Sequence, residues 1–198
     1  MMKEHSFDRA RLQIPTYDGD AGLEQALDQC AACCLKGCLE TAPGDQTHTV
    51  WLKLYTASQR LKFAVREHDV LPALLEIGSN LMACEEMAVV AFGEDSRVSV
   101  LASSGLTEHH AEALIASGEQ IAAETVRGQV TVVNASGCGN TLWSELGVTA
   151  FVPVWHKSEP RGALIFYKLL PQRTGFDAAD YELLQLFSMY SGACLFST

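Results

Sequence analysis

Two pairs of short β-type runs, set far apart in the chain, constrain this sequence most. Met87 to Phe92 is an apolar run, Gly93-Glu94-Asp95-Ser96 a turn, and Val98, Val100 and Ala102 then alternate with Ser99, Leu101 and Ser103. Thr149–Trp155 and Gly162–Leu169 form the second pair, joined by the loop His156-Lys157-Ser158-Glu159-Pro160-Arg161. Connections this short allow antiparallel pairing only, because a parallel pair needs a long crossover. Val130–Val133 is a further strand. Helical spacing surrounds these runs. Asp69 is placed to cap a helix carrying Val70, Leu71, Leu74, Leu75, Ile77, Leu81 and Met82, with Pro72 tolerated in its first turn. Thr107 is placed to cap a helix through Ala116, and a shorter helix runs to about Val126 before Gly128. Thr141 opens a short turn that Gly147 stops, and Asp177 is placed to cap a last helix through Ala193. This order predicts an α+β fold: an antiparallel sheet of about five to six strands, with the N- and C-terminal helices packed on one face. The central helices and loops then cover the other face and leave a pocket.

Upstream, residues 1–45 read as an extension, irregular to about Gly19 and then helical from Asp20 to about Thr41, with Leu23, Leu27, Cys30, Cys34 and Cys38 on one face. Residues 46–67 read as a connecting and dimerisation helix. Val50, Leu54, Ala57, Leu61 and Ala64 follow the 4-3-4-3 spacing of a coiled-coil seam. Residues 68–198 are the third unit.

At this point the chain resembles a GAF domain. The pieces that carry the resemblance run in order: the helix ending at Asn80-Leu81-Met82, the hairpin with Ala102-Ser103-Ser104-Gly105-Leu106, and Gly118-Glu119-Gln120-Ile121-Ala122-Ala123. Leu146-Gly147-Val148, Ala150-Phe151-Val152-Pro153-Val154, Gly162-Ala163-Leu164-Ile165-Phe166-Tyr167 and Phe176-Asp177 complete the set. The resemblance implies helix-mediated dimers and the sensing of a small molecule or protein, and it leaves the ligand and any cofactor unspecified. It places pocket-facing positions at Leu101, Ile121, Thr125, Cys138, Trp143, Phe151 and Pro153. The chain departs from the family at Gln120 and Ala123, where a glycine-rich pattern is common. It lacks the Asn-Lys-Xaa-Asp-like motif of cyclic-nucleotide binders, and alanines stand where the methionine-sulfoxide-reducing type carries a reactive cysteine.

The remaining chemistry is sparse. The net charge of −10 disfavours nucleic acid as a partner. The start of the chain has no apolar segment of a signal peptide, no run is long enough to span a bilayer, and the seven cysteines then read as reduced thiols of a cytoplasmic protein. Cys30, Cys33, Cys34 and Cys38 lie within nine residues. They read first as an apolar helical face, then as metal ligands, then as redox thiols. On one intact helix Cys30 and Cys38 stand about 12 Å apart along the axis, too far to share a zinc ion. His109-His110 reads as a solvated helix start, and His156 as an exposed loop residue. No phosphate loop, nucleophile elbow or metalloprotease helix is present. The sequence therefore points to a signalling module and not an enzyme, homodimeric, binding a small molecule or a signalling protein away from nucleic acid and membrane. A metal or redox sensor built on the cysteine cluster and a ligand-free dimerisation scaffold are the alternatives.

Overall fold

The computed structural model describes residues 45–93, 97–133 and 141–196. Its elements are α1 (Asp45–Glu67), α2 (Val70–Leu81), β1 (Cys84–Phe92), β2 (Val98–Ser104), α3 (Glu108–Ala116), α4 (Gly118–Val126), β3 (Thr131–Val132), α5 (Thr141–Glu145), β4 (Ala150–His156), β5 (Glu159–Leu169) and α6 (Ala178–Phe196). The strands form one five-stranded sheet in the order β2-β1-β5-β4-β3, with every pairing antiparallel.

Side chains alternate across this sheet into two cores. Met87, Val89, Val152, Val154, Leu164 and Phe166 face α1, α2 and α6. Ala88, Val90, Phe151, Ala163, Ile165 and Tyr167 face α3, α4 and α5. Strands buried on both faces read as continuous apolar runs, which is why Met87–Phe92 shows no polar alternation. Phe166 stacks on Phe187 of α6 at 6.3 Å and meets Phe176 edge-on at 6.4 Å. Burying each such side chain stabilises the fold by about 1.5–3 kcal/mol.

The apolar seam of α1 turns inward. Leu54, Ala57, Leu61 and Ala64 are buried in the first core, with Val50 packed against it. α1 packs chiefly against α2 and α6 rather than on the sheet. The residues that spell a coiled-coil seam are thus occupied within the chain, and the outward side of α1 instead shows Leu52 and Phe63. Lys53 ties α1 to the start of α6, lying 3.2 Å from both Asp177 and the fully buried Asp180, which Arg173 also pairs. Asp177 and Asp180 exchange backbone-to-carboxylate hydrogen bonds of 2.9 Å, a reciprocal cap that starts α6 where the sequence places it.

Two local expectations need correction. Asp69 does not cap α2 through its carboxylate; its carbonyl accepts from Ala73 N–H, and the break from α1 comes from His68 at φ 58°. The loop from His156 to Arg161 shrinks to Lys157-Ser158, both in the left-handed region (φ 49° and 67°). Two such residues make the turn whose twist matches a hairpin, so His156 pairs with Glu159 and the strands extend to meet it.

Candidate functional site

The sequence-derived pocket residues separate into three environments. Ile121, Thr125, Trp143 and Phe151 come together beneath α4 and α5, each at most 1% exposed. The Trp143 and Phe151 rings stack at 4.4 Å, and the Thr125 hydroxyl is satisfied by the Ile121 carbonyl at 2.9 Å. These four fill the space between sheet and helices instead of lining an opening. Pro153 is buried on β4, where its carbonyl accepts from Ser188 of α6 at 3.5 Å. Leu101 stands apart at 39% exposure on the edge strand β2. Cys138 and the cluster Cys30, Cys33, Cys34 and Cys38 lie outside the described residues.

A cleft of about 380 Å³ opens on this side of the sheet between α4 and α5. Ser117, Gln120, Glu124 and Glu145 supply its polar groups, and Ala123, Leu142 and Leu146 its apolar ones. Gln120 and Ala123, the departures from the family's glycine pattern, sit on its wall within a continuous helix. Glu124 is held by Arg127 at 2.8 Å.

A polar cluster that the sequence reading missed lies at the end of the second core. Glu86 of β1 is 4% exposed. Its Oε1 accepts from the Thr107 backbone N–H at 2.8 Å and lies 2.6 Å from His110 Nδ1. Thr107 is the N-cap of α3 and accepts from His110 N–H at 3.3 Å, so one carboxylate is bound to the start of that helix twice over. Burial pushes the Glu86 carboxyl up, but the hydrogen bonds from Thr107 and His110 outweigh it and hold it below the ordinary glutamate value. The His110 ring stacks on Tyr167 of β5 at 4.3 Å. Burial, with the Glu86 charge adding to it, pushes the Tyr167 hydroxyl well above its ordinary value. That hydroxyl has no hydrogen-bond partner among the described residues. Gly147, at φ 68°, ends α5 against His110: a Cβ there would sit 3.2 Å from Nε2. His110 is therefore a structural anchor of α3 and not a solvated helix start. His156 is half-buried, its ring 6.4 Å from that of Phe196.

Glu86 was visible in outline. It has the same strand parity as the inward Ala88 and Val90, and a carboxylate at an inward position demands a partner. Among the described residues no three His, Cys, Asp or Glu side chains are grouped to hold a metal ion, and no helix is long and apolar enough to cross a membrane.

No protein-family model matches the chain, and no curated protein matches it. Solved structures similar to it include the GAF3 domain of Slr1393 from Synechocystis sp. PCC6803 in its photoproduct state (17% identity, 66% of this chain and 93% of that one, TM-score 0.49). The GAF domain of an Acinetobacter phosphoenolpyruvate-protein phosphotransferase is another (21%, 69% and 90%, TM-score 0.45). A third is a domain of a two-component sensor histidine kinase protein from Sinorhizobium meliloti 1021 (18%, 63% and 87%, TM-score 0.46). Likeness at this level is one of chain path and carries no argument about ligand or activity. The class is that of a GAF-like α+β fold, and the chain's own sheet and two helical layers have the arrangement its sequence resemblance implies.

Proposed function

We propose that the protein is a signalling module in which a small molecule or partner protein engages the α3–α5 layer and the helices across the sheet report it. The observation that supports this reading most is the seating of α1. It packs on α2 and α6 more than on the sheet, and its ion pairs include Arg60 to Glu76 of α2 and Lys53 to the cap of α6. A shift of α1 would repack its Leu54–Ala57–Leu61–Ala64 seam on α2 and α6 while the strand pairings stay closed, which gives the second packing that a two-state output requires.

Native-state hydrogen exchange in low urea tests the reading. The amides of α1 and of the cap of α6 should exchange through an opening well below the free energy of global unfolding, while β1, β4 and β5 stay protected. Exchange of α1 only together with the sheet would describe a rigid scaffold instead.

A further inference from the structure

The outer surface of the α3–α5 layer has a charge and shape of its own. Residues 106–148 contain five glutamates, one arginine, no lysine and no aspartate, a net charge of −4. The one arginine, Arg127, is taken by Glu124. Glu108, Glu112, Glu119 and Glu145 are exposed. Glu108, Glu112 and Ile115 follow one stripe along α3, and Glu119, Ala123 and Val126 one stripe along α4, each at the 4-3 spacing of a helix face. Ile115 and Val126 are 62% and 61% exposed, the two most exposed large apolar side chains among those described. Charged stripes that end in bare aliphatic residues, the α4 stripe sharing Ala123 with the wall of the open cleft that Glu145 also lines, differ from an evenly solvated acidic face.

We infer that this layer docks a basic amphipathic segment of a partner protein, its lysines or arginines against Glu108, Glu112, Glu119 and Glu145 and its apolar side chains on Ile115, Val126 and the Leu142–Leu146 wall of the cleft. Charge complementarity selects this occupant. The exposed acids have no cations of their own layer to meet, whereas a second copy would bring the same −4 surface and an anionic membrane the same sign. The inference rests on the signalling reading, whose input it identifies.

The test uses the full chain and a fluorescein-labelled 18-residue peptide of lysine and leucine in helical amphipathic order, with its glutamate-for-lysine counterpart as control. Anisotropy should report saturable binding of the basic peptide that weakens steeply between 50 and 300 mM salt, and none of the acidic one. Glu112→Lys with Glu119→Lys should weaken it at least tenfold, and Ile115→Ser at least threefold. Glu159→Lys with Glu182→Lys, equal in charge change but outside the layer, should change it less than twofold. Equal losses from both pairs would overturn the docking site, since attraction would then follow net charge alone; so would insensitivity to Ile115→Ser, or tighter binding to anionic vesicles. If the peptide fails to bind while α1 still exchanges by its own opening, the docking inference falls and the signalling reading stands. If the peptide binds by these criteria but α1 exchange is unaltered by it, docking stands and signalling through α1 falls.

Discussion

Replacing Glu86 by glutamine isolates the charge that joins α3 to the sheet. The amide oxygen can occupy the place of Oε1, so the 2.8 Å bond from Thr107 N–H and the 2.6 Å contact with His110 Nδ1 both persist in shape. What is lost is the charge assistance. Hydrogen bonds to charged groups contribute about 1.5–3 kcal/mol and neutral ones about 0.5–1.5 kcal/mol. The difference is about 1 kcal/mol per bond, or ~2 kcal/mol for two bonds made by a side chain 4% exposed. Urea denaturation followed by tryptophan fluorescence should show that loss at pH 7. The pH dependence gives the sign. Hydrogen bonding leaves the folded carboxyl below its ordinary value despite the opposing effect of burial. Its contribution is complete above the unfolded pKa of about 4.3 and disappears as pH falls through the lower folded value. The gap between wild type and Glu86→Gln should therefore close as pH is lowered from 5. Equal stabilities at pH 7, or a gap that persists undiminished at pH 3, would refute the assignment of Glu86 as a buried ionised anchor.

Further outcomes follow from the same geometry. Lys53→Met should cost about 1–3 kcal/mol, because it leaves Asp180 with Arg173 as its remaining cationic partner; the same urea titration measures it, and hydrogen exchange should place the loosening in α1. Gly192→Ala should destabilise by about 3 kcal/mol or abolish soluble expression, since a Cβ there runs into the Trp155 carbonyl where α6 crosses β4. Burial pushes the Cys84 thiol up to about 12, and the thiol is placed to donate to the Glu86 and Lys168 carbonyls, each 3.2 Å away. Mass spectrometry after brief iodoacetamide treatment at pH 8 should therefore find Cys84 unmodified until denaturant is added.

The sheet was legible because strands buried on two sides are written as apolar runs. Met87–Phe92 and Gly162–Leu169 could scarcely be anything else once short turns separated them from their partners. Helix starts were legible where a side chain caps, as at Thr107 and Asp177, and less so at Asp69, where a positive φ at the preceding residue makes the break. The seam of α1 shows the limit of periodicity. Leu54, Ala57, Leu61 and Ala64 declare a buried stripe, but the same stripe serves a partner chain or the chain's own helices. The site was less legible for a reason of volume. Trp143 and Phe151 fall where a pocket would be, and only their stacking shows that they occupy it. The Glu86–His110–Tyr167 cluster joins β1, α3 and β5 across long sequence separations, and only strand parity hinted at it.

The central claim is that an event in the α3–α5 layer is felt by α1 on the far side of the sheet. The three tryptophans are placed to test it: Trp51 on α1, Trp143 in the second core and Trp155 at the end of β4. In protein labelled with 5-fluorotryptophan, Leu114→Ala opens space in the second core, where Leu114 is fully buried and apart from the first. Coupling predicts that the Trp51 fluorine resonance shifts or splits in the folded variant along with that of Trp143. A Trp51 resonance identical to wild type, with Trp143 alone displaced, would contradict it.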